Sequence, residues 1–183
     1  MSELVQPLLE TPRLLLRPFK LSDASDVHCL AGAPEIAEMT GNVPHPYEDG
    51  MAESWIGGHA AQFVAGEAVT FAITARDDKR LLGCIGLVMA PRHHRAELGY
   101  WLGVPFWNRG YMTEAAGAVI GYAFSTLGLH KIAASHLSRN PASGRVMEKV
   151  GMTREGVLRQ HAAKDDVFED LVVYGLLSSD RQT

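Results

Sequence analysis

The chain predicts an α/β fold of the α+β kind: a mixed, mostly antiparallel sheet of about six to seven strands with flanking helices. Three observations carry this. Residues 69–74, Leu81–Ala90 and Arg95–Leu102 read as strands joined by short turns at 76–80 and 91–94, which implies an antiparallel meander. Residues 97–127 then pass from strand through a glycine-containing loop into a helix, and residues 130–137 follow as a strand. That crossover sets the new strand parallel to Arg95–Leu102, with right-handed chirality. Near the end of the chain, residues 153–159 and 168–177 form a further antiparallel pair.

The elements follow in order. Residues 1–10 carry no strong pattern and are expected to be a loose arm. Arg13-Leu14-Leu15-Leu16-Arg17 is a short strand closed by Pro18. Ser22 is the expected cap of a first helix, with Asp23 and Asp26 in its first turn. Residues 33–50, rich in Gly and Pro, read as loop. A helix is expected over about 48–65, with Trp55, Ile56 and Phe63 inward, although Gly57-Gly58 weakens its regularity. In the central helix Ala115, Ala116, Val119, Ile120, Ala123, Phe124 and Leu127 form a buried stripe, and Gly128 suits the left-handed residue that ends a helix. Asn140 caps the next helix, Pro141 takes its first position and Gly151 ends it. The last turn is expected at 161–166.

Composition bounds the function. The 183 residues, 46% hydrophobic, suffice for one good core and are read as a single domain. A net charge of −4 leaves no basic footprint for nucleic acid. Cys29 and Cys84 fit neither a metal spacing nor a disulfide framework. No metal is therefore expected, and a reducing, cytoplasmic setting is the default. No basic region followed by an apolar run stands at the start, and no apolar run reaches transmembrane length, so no membrane partner is expected.

The loop Trp107-Asn108-Arg109-Gly110-Tyr111-Met112 between strand and helix has the geometry that aims backbone N–H groups, and the positive end of a helix dipole, at an anion. It lacks the Lys-Ser/Thr pair of a triphosphate loop and the spaced glycines of a dinucleotide fingerprint. The physics asks for a phosphate or pyrophosphate. A tight turn into an amphipathic helix is the plain alternative.

Arg109-Gly110-Tyr111-Met112-Thr113-Glu114-Ala115 also resembles the coenzyme A pyrophosphate loop of the GNAT acetyltransferases. It is closest to the Rim-type branch, which acetylates protein amino-termini. Gly110 holds the first glycine of the family's loop, while Trp107 and Met112 depart from it. Thr11-Pro12-Arg13-Leu14-Leu15-Leu16-Arg17-Pro18 with Ser22-Asp23 is similar to the amino-terminal signature of that branch. Asn140-x-x-Ser143, a short helix and Gly151-Met152 resemble the segment whose Asn holds the pantetheine arm and whose Ser lies near the thioester sulfur. The resemblance runs over about residues 11–177, with its segments in family order.

That resemblance implies the acyl-CoA N-acyltransferase fold with a splayed central parallel strand pair, and acetyl-CoA as co-substrate. The implied acceptor is an amine: first a protein N-terminal α-amine, second a small amine such as a polyamine or aminoglycoside. A non-catalytic acyl-CoA-binding domain is the other class. The pyrophosphate falls at Arg109, Gly110, Tyr111, Met112 and Thr113, and the pantetheine against freed backbone of Leu102, Gly103 and Val104 and against Asn140. Ser143 is the expected proton donor to the leaving thiolate, with Tyr174 and Tyr111 behind it. The Rim-type base, a Glu just beyond the following strand, falls in Gln160-His161-Ala162, where Ala162 stands. Glu97, acting through a water, is preferred in its place. His161 and His136 are the histidine alternatives for the base, and an α-amine that deprotonates in solution needs no base. The helical region around 48–65 covers the substrate side in the resembled fold. His45, Tyr47, Trp55 and His59 are therefore candidate acceptor contacts, with core packing for Trp55 and surface for the two histidines as the alternatives. Monomer and homodimer both remain open.

Overall fold

A computed structural model describes residues 5–164 and 166–180. The first four residues of the expected arm and Asp165 of the expected last turn lie outside them. Strands β1 (Leu9–Glu10), β2 (Leu14–Arg17), β3 (Ala68–Ala75), β4 (Leu81–Ala90), β5 (Arg95–Leu102), β6 (Lys131–Leu137), β7 (Thr153–Lys164) and β8 (Val167–Leu177) form one eight-stranded sheet in the order β1-β2-β3-β4-β5-β6-β8-β7. All pairings are antiparallel except β5 with β6. The helices are α1 (Ala24–Ala31), α2 (Pro34–Met39), α3 (Met51–Val64), α4 (Tyr111–Ser125) and α5 (Pro141–Lys149). No helix among the described residues is long and apolar enough to cross a membrane.

The meander and the crossover stand where the short turns and the strand–loop–helix pattern put them. Four details differ. Leu9 pairs with Leu16 and Glu10 with Leu15, so the end of the expected arm joins the sheet as its eighth strand. Residues 33–50 are not all loop, because Pro34, fixed near helical φ, opens the six-residue α2. Ser22 does not cap α1. It lies in a short 3-10 turn, Leu21–Asp23, whose Asp23 carboxylate accepts from Lys20 N at 2.8 Å and pairs with Arg17 at 2.7 Å. Finally, β7 runs on to Lys164, past the start of the expected turn. Two register shifts, after Arg154 and after Leu158, let it do so, and Gln160 takes a left-handed φ of 48° at the second.

Side chains alternate across each strand, so the sheet has two different faces. One carries α1, α2 and α3 over Ala72, Leu81, Cys84 and Trp101. The other carries α4 and α5 over Leu14, Leu16, Phe71, Ile85, Leu98, Ile132 and Leu176. Tertiary packing, more than propensity, holds α4. Gly117 and Gly121 each cost its interior about 1 kcal/mol against alanine. Val119 and Ile120, 0% and 2% exposed, each return roughly 1.5–3 kcal/mol by burial.

The parallel contact is short. Arg95 lies opposite Lys131, Ala96 opposite Ile132 and Glu97 opposite Ala133, and there the pairing stops. β5 continues to Leu102 against β4, and β6 continues to Leu137 against β8. Between their carboxyl ends the sheet is open.

Candidate active site

The open gap has identifiable backbone groups. Gly103 N donates to Leu82 O at 2.8 Å, which places Gly103 in the set of β5 residues bonded to β4. Antiparallel ladders alternate, so Trp101, Gly99 and Glu97 belong to that set. Tyr100 and Leu102 therefore aim their N–H and C=O groups away from β4, into the gap. Of the three residues expected to meet a pantetheine arm, Leu102 has its carbonyl taken by Trp107 Nε1 at 2.5 Å. Gly103 O accepts from Phe106 N at 2.9 Å and Val104 O from Trp107 N at 3.2 Å. The groups that face the gap thus lie earlier on the strand: both of Tyr100 and the N–H of Leu102.

On the α4–α5 face, Tyr100 reaches across to the first turn of α5. Its Oη lies 2.9 Å from Ser143 Oγ and donates to Ser143 O at 3.1 Å. Burial pushes this phenol up to about 12, so it is neutral at physiological pH. Asn140 holds the same turn from below: Oδ1 accepts from Ser143 N at 3.2 Å, and Nδ2 donates to Met39 O at 3.1 Å. Asn140 is thus both a helix cap and a tie to the end of α2. Tyr174 Oη donates to Glu148 at 3.1 Å, and Tyr111 lies 4.6 Å beneath the Arg13 guanidinium, so both lesser donor candidates have other partners. His136 is buried with Nδ1 2.8 Å from Leu137 O. It lines a cleft of about 340 Å³ with Gly144, Glu148, Arg154 and Tyr174.

At the start of α4, Gly110 is the cap with φ 77°, and Asn108 also takes a left-handed φ of 60°. Glu114 N bonds back to Gly110 O at 3.1 Å. The N–H groups of Tyr111, Met112 and Thr113 precede it and have no partner within the helix. Arg109 is exposed and its carbonyl accepts from Arg13 Nη1 at 2.9 Å. Arg13 also binds Glu114, with Nε 2.6 Å from Oε2. Two cations and a run of N–H donors therefore surround one helix start, which suits a pyrophosphate.

Glu97 lies on the opposite face. Its exposed carboxylate accepts from Ser135 Oγ at 3.4 Å, beside the last parallel pair. Ala162 is paired with Glu169 across β7 and β8, and cross-strand partners share a face. The Glu169 carboxylate is 12% exposed and lies 3.3 Å from Arg139 Nε. His59 is buried and not on the surface, at 4.4 Å from the Trp55 ring, with its Nδ1 unpartnered among the described residues. Burial lowers it to about 4. His59 is core, and the half-buried Trp55 and Phe19 pack against it. Tyr47 is half-buried against His28, while His45 is exposed and lines a cleft of about 610 Å³ with Asn42, Val43 and Lys164. Lys164 Nζ donates to Ala37 O, Thr40 O and Val43 O and so ties the β7–β8 hairpin to the end of α2. His161 is exposed. No cluster of three or more His, Cys, Asp or Glu among the described residues could hold a metal.

Sequence reasoning missed Tyr100, Arg13 and Glu169 as neighbours of the site. Only Tyr100 carried a local signal: it alternates with Leu98 and Leu102 on the strand that feeds the loop.

A mixed sheet opened at its one parallel pair, with a helix start beside the opening, defines the class: acetyltransferases that use this fold. Residues 13–153 match the family described as the acetyltransferase (GNAT) domain, and the chain belongs to that family of N-acetyltransferases. It is 34% identical over 172 residues to the uncharacterised N-acetyltransferase YoaA of Bacillus subtilis (strain 168), covering 93% of this chain and 97% of that protein. It is 29% identical over 117 residues to the ribosomal protein uS5 alanine N-acetyltransferase of Escherichia coli (strain K12), covering 63% of this chain and 60% of that one. Among solved structures, RimL, a ribosomal L7/L12 α-N-protein acetyltransferase in complex with coenzyme A, superimposes with a TM-score of 0.86. Its identity is 18%, over 93% of this chain and 98% of that one, so that likeness speaks for the fold.

Proposed function

We propose that this enzyme, acting as one domain, transfers the acetyl group of acetyl-CoA to a protein N-terminal α-amine. The observation that carries this reading is the end of the β5–β6 pairing at Glu97 and Ala133, which leaves Tyr100 and the Leu102 N–H facing a gap beside the start of α4. The relative named for ribosomal protein acetylation and the RimL complex with coenzyme A support the acceptor and the co-substrate. Arg109, Gly110, Tyr111, Met112 and Thr113, with Arg13 behind them, take the pyrophosphate.

Acetyl transfer then divides between the two faces of the sheet. A neutral amine forms a C–N bond to the thioester carbonyl, and the oxyanion that develops is met by a backbone N–H from Tyr100 or Leu102. The C–S bond breaks, the nitrogen loses one proton and the sulfur gains one. Ser143 stands on the α4–α5 face and supplies the sulfur's proton. Glu97 stands on the α1–α3 face and draws the nitrogen's proton away through a water.

A thiol-release assay with acetyl-CoA and a panel of amines tests this. Peptides with a free α-amine, alanine-initiated ones first, are expected to turn over fastest. A preference for polyamines or aminoglycosides would replace the protein acceptor with a small one.

A further inference from the structure

We propose that Tyr100 is a positioning residue: its phenol orients the Ser143 hydroxyl across the strand gap, so that Ser143 relays a proton to the departing thiolate while Tyr100 keeps its own. This rests on the proposed acetyl transfer and adds to it a residue that the loop and helix motifs do not contain.

The geometry starts with a count of protons. Tyr100 Oη has one, and two Ser143 oxygens lie within its reach, O at 3.1 Å and Oγ at 2.9 Å. In one arrangement Tyr100 donates to Ser143 O and accepts from Ser143 Oγ. In the other it donates to Oγ, and the serine proton is free to point elsewhere. The two differ by the rotation of two hydroxyls, with no heavy atom displaced. The backbone around them is held. Ser143 N is bonded to Asn140 Oδ1, Asn140 is tied to Met39 O, and Tyr100 lies opposite Ile85 in the sheet.

The relay balances. Ser143 Oγ–H breaks as S–H forms and re-forms from water, while an N–H of the attacking amine breaks and its proton passes through water to Glu97, which returns it to solvent. C–N forms, C–S breaks, and serine ends as it began. While Oγ is short of a proton, Tyr100 donates to it and stabilises the charge. Tyr100 does not itself ionise, since burial holds its proton to about 12 while an ordinary thiol titrates near ~8.5. Tyr174 Oη donates instead to Glu148, and the Tyr111 ring stacks under Arg13.

The test is a double-mutant cycle on the full chain, with acetyl-CoA and an alanine-initiated peptide, beside an ultraviolet titration of the thiolate of bound coenzyme A. Tyr100→Phe keeps the ring and deletes the hydroxyl. It is expected to lower kcat by roughly tenfold or more, with KM for acetyl-CoA within about twofold. Ser143→Ala should do the same, and the double variant should be no slower than the slower single one. Bound coenzyme A should titrate at lower pH in the wild type than in either variant. Tyr100→Met, which also lacks the hydroxyl, replaces Tyr100→Phe if that chain does not fold. An unchanged kcat, a change in KM alone, or losses that multiply in the double variant would overturn the assignment. If coenzyme A binds but no amine is acetylated, the acceptor reading fails and the thiol titration alone decides this one. If calorimetry finds no coenzyme A binding to the wild type, both fall together.

Discussion

Arg13 Nε lies 2.6 Å from Glu114 Oε2, and this contact fastens the amino-terminal strand to the first turn of the helix that opens the pyrophosphate loop. The same carboxylate accepts from Thr11 Oγ1 at 2.6 Å and from Arg13 N at 2.9 Å. Burial alone would raise Glu114, but the hydrogen bonds from Thr11 and Arg13, with the guanidinium charge, outweigh it and hold the carboxyl below its ordinary 4.5. A depressed carboxyl contributes stability that is present above its unfolded value and lost as pH falls through the folded one. Glu114→Gln should therefore melt a few degrees below the wild type at pH 7, and the difference should shrink as pH falls below the ordinary 4.5. The effect is small because Arg13 is 47% exposed, where such pairs are worth about 0.2–1 kcal/mol. Melting curves across pH 3–7 check it, and a difference that persists in acid would place the effect elsewhere.

Gly110 separates backbone strain from phosphate binding. Its φ of 77° costs a residue with a Cβ about 1–2 kcal/mol. An added Cβ there would lie 3.4 Å from Arg13 Nη2. Gly110→Ala should therefore lose stability while coenzyme A affinity changes little. Gly110→Asp adds a carboxylate that pairs with Arg13 and repels phosphate, and should weaken coenzyme A by about tenfold or more, a difference of ~1.4 kcal/mol. Calorimetry on the two variants decides, and unchanged affinity in the Asp variant would move the pyrophosphate off this loop.

The base is tested by pH. If Glu97 draws the proton through a water, Glu97→Gln should slow turnover by roughly a hundredfold or more, and the inflection of the rate should stay fixed when the amine is changed. An amine that loses its proton in solution gives an inflection that moves with the substrate, near ~8 for an α-amine. A moving inflection together with an active Glu97→Gln variant would remove Glu97 from the chemistry. A fixed inflection that survives Glu97→Gln would pass the role to Glu169, the carboxylate opposite Ala162 on the same face.

His59 gives the fold a second acid-labile point. It is 8% exposed, its Nδ1 has no partner among the described residues, and burial lowers it from 6.5 to about 4. The unfolded chain binds the proton more readily, so stability falls as pH drops from about 6.5 towards 4. His59→Phe, which keeps a ring against Trp55 and Phe19, should flatten that part of the stability curve. A wild-type curve already flat between pH 6.5 and 4 would refute the buried neutral state.

Local chemistry was legible. The bounds of β4 and β5 follow from Pro91 and the charged turn at 76–80, and α5 from Asn140, Pro141 and Gly151. The six residues of α2 and the two of β1 were not, because neither spans enough chain to show a period. The late end of β7 was hidden for another reason. Its shifted register depends on Asp170 Oδ1 holding Gln160 N at 2.7 Å, a partner on the neighbouring strand.

The sequence by itself determined the meander of β3, β4 and β5, the crossover through α4 to β6, the loop at Gly110 and the Asn140 cap, since each depends on residues within a few positions of one another. Only the tertiary structure decided which groups meet at the site. Tyr100 and Ser143 are 43 residues apart, Arg13 and Glu114 are 101, and Asn140 and Met39 are 101. Such pairs leave no periodicity and no spacing. They exist because the twisted sheet fixes the relative positions of its strands and because buried polar groups must find partners wherever the packed layers place one.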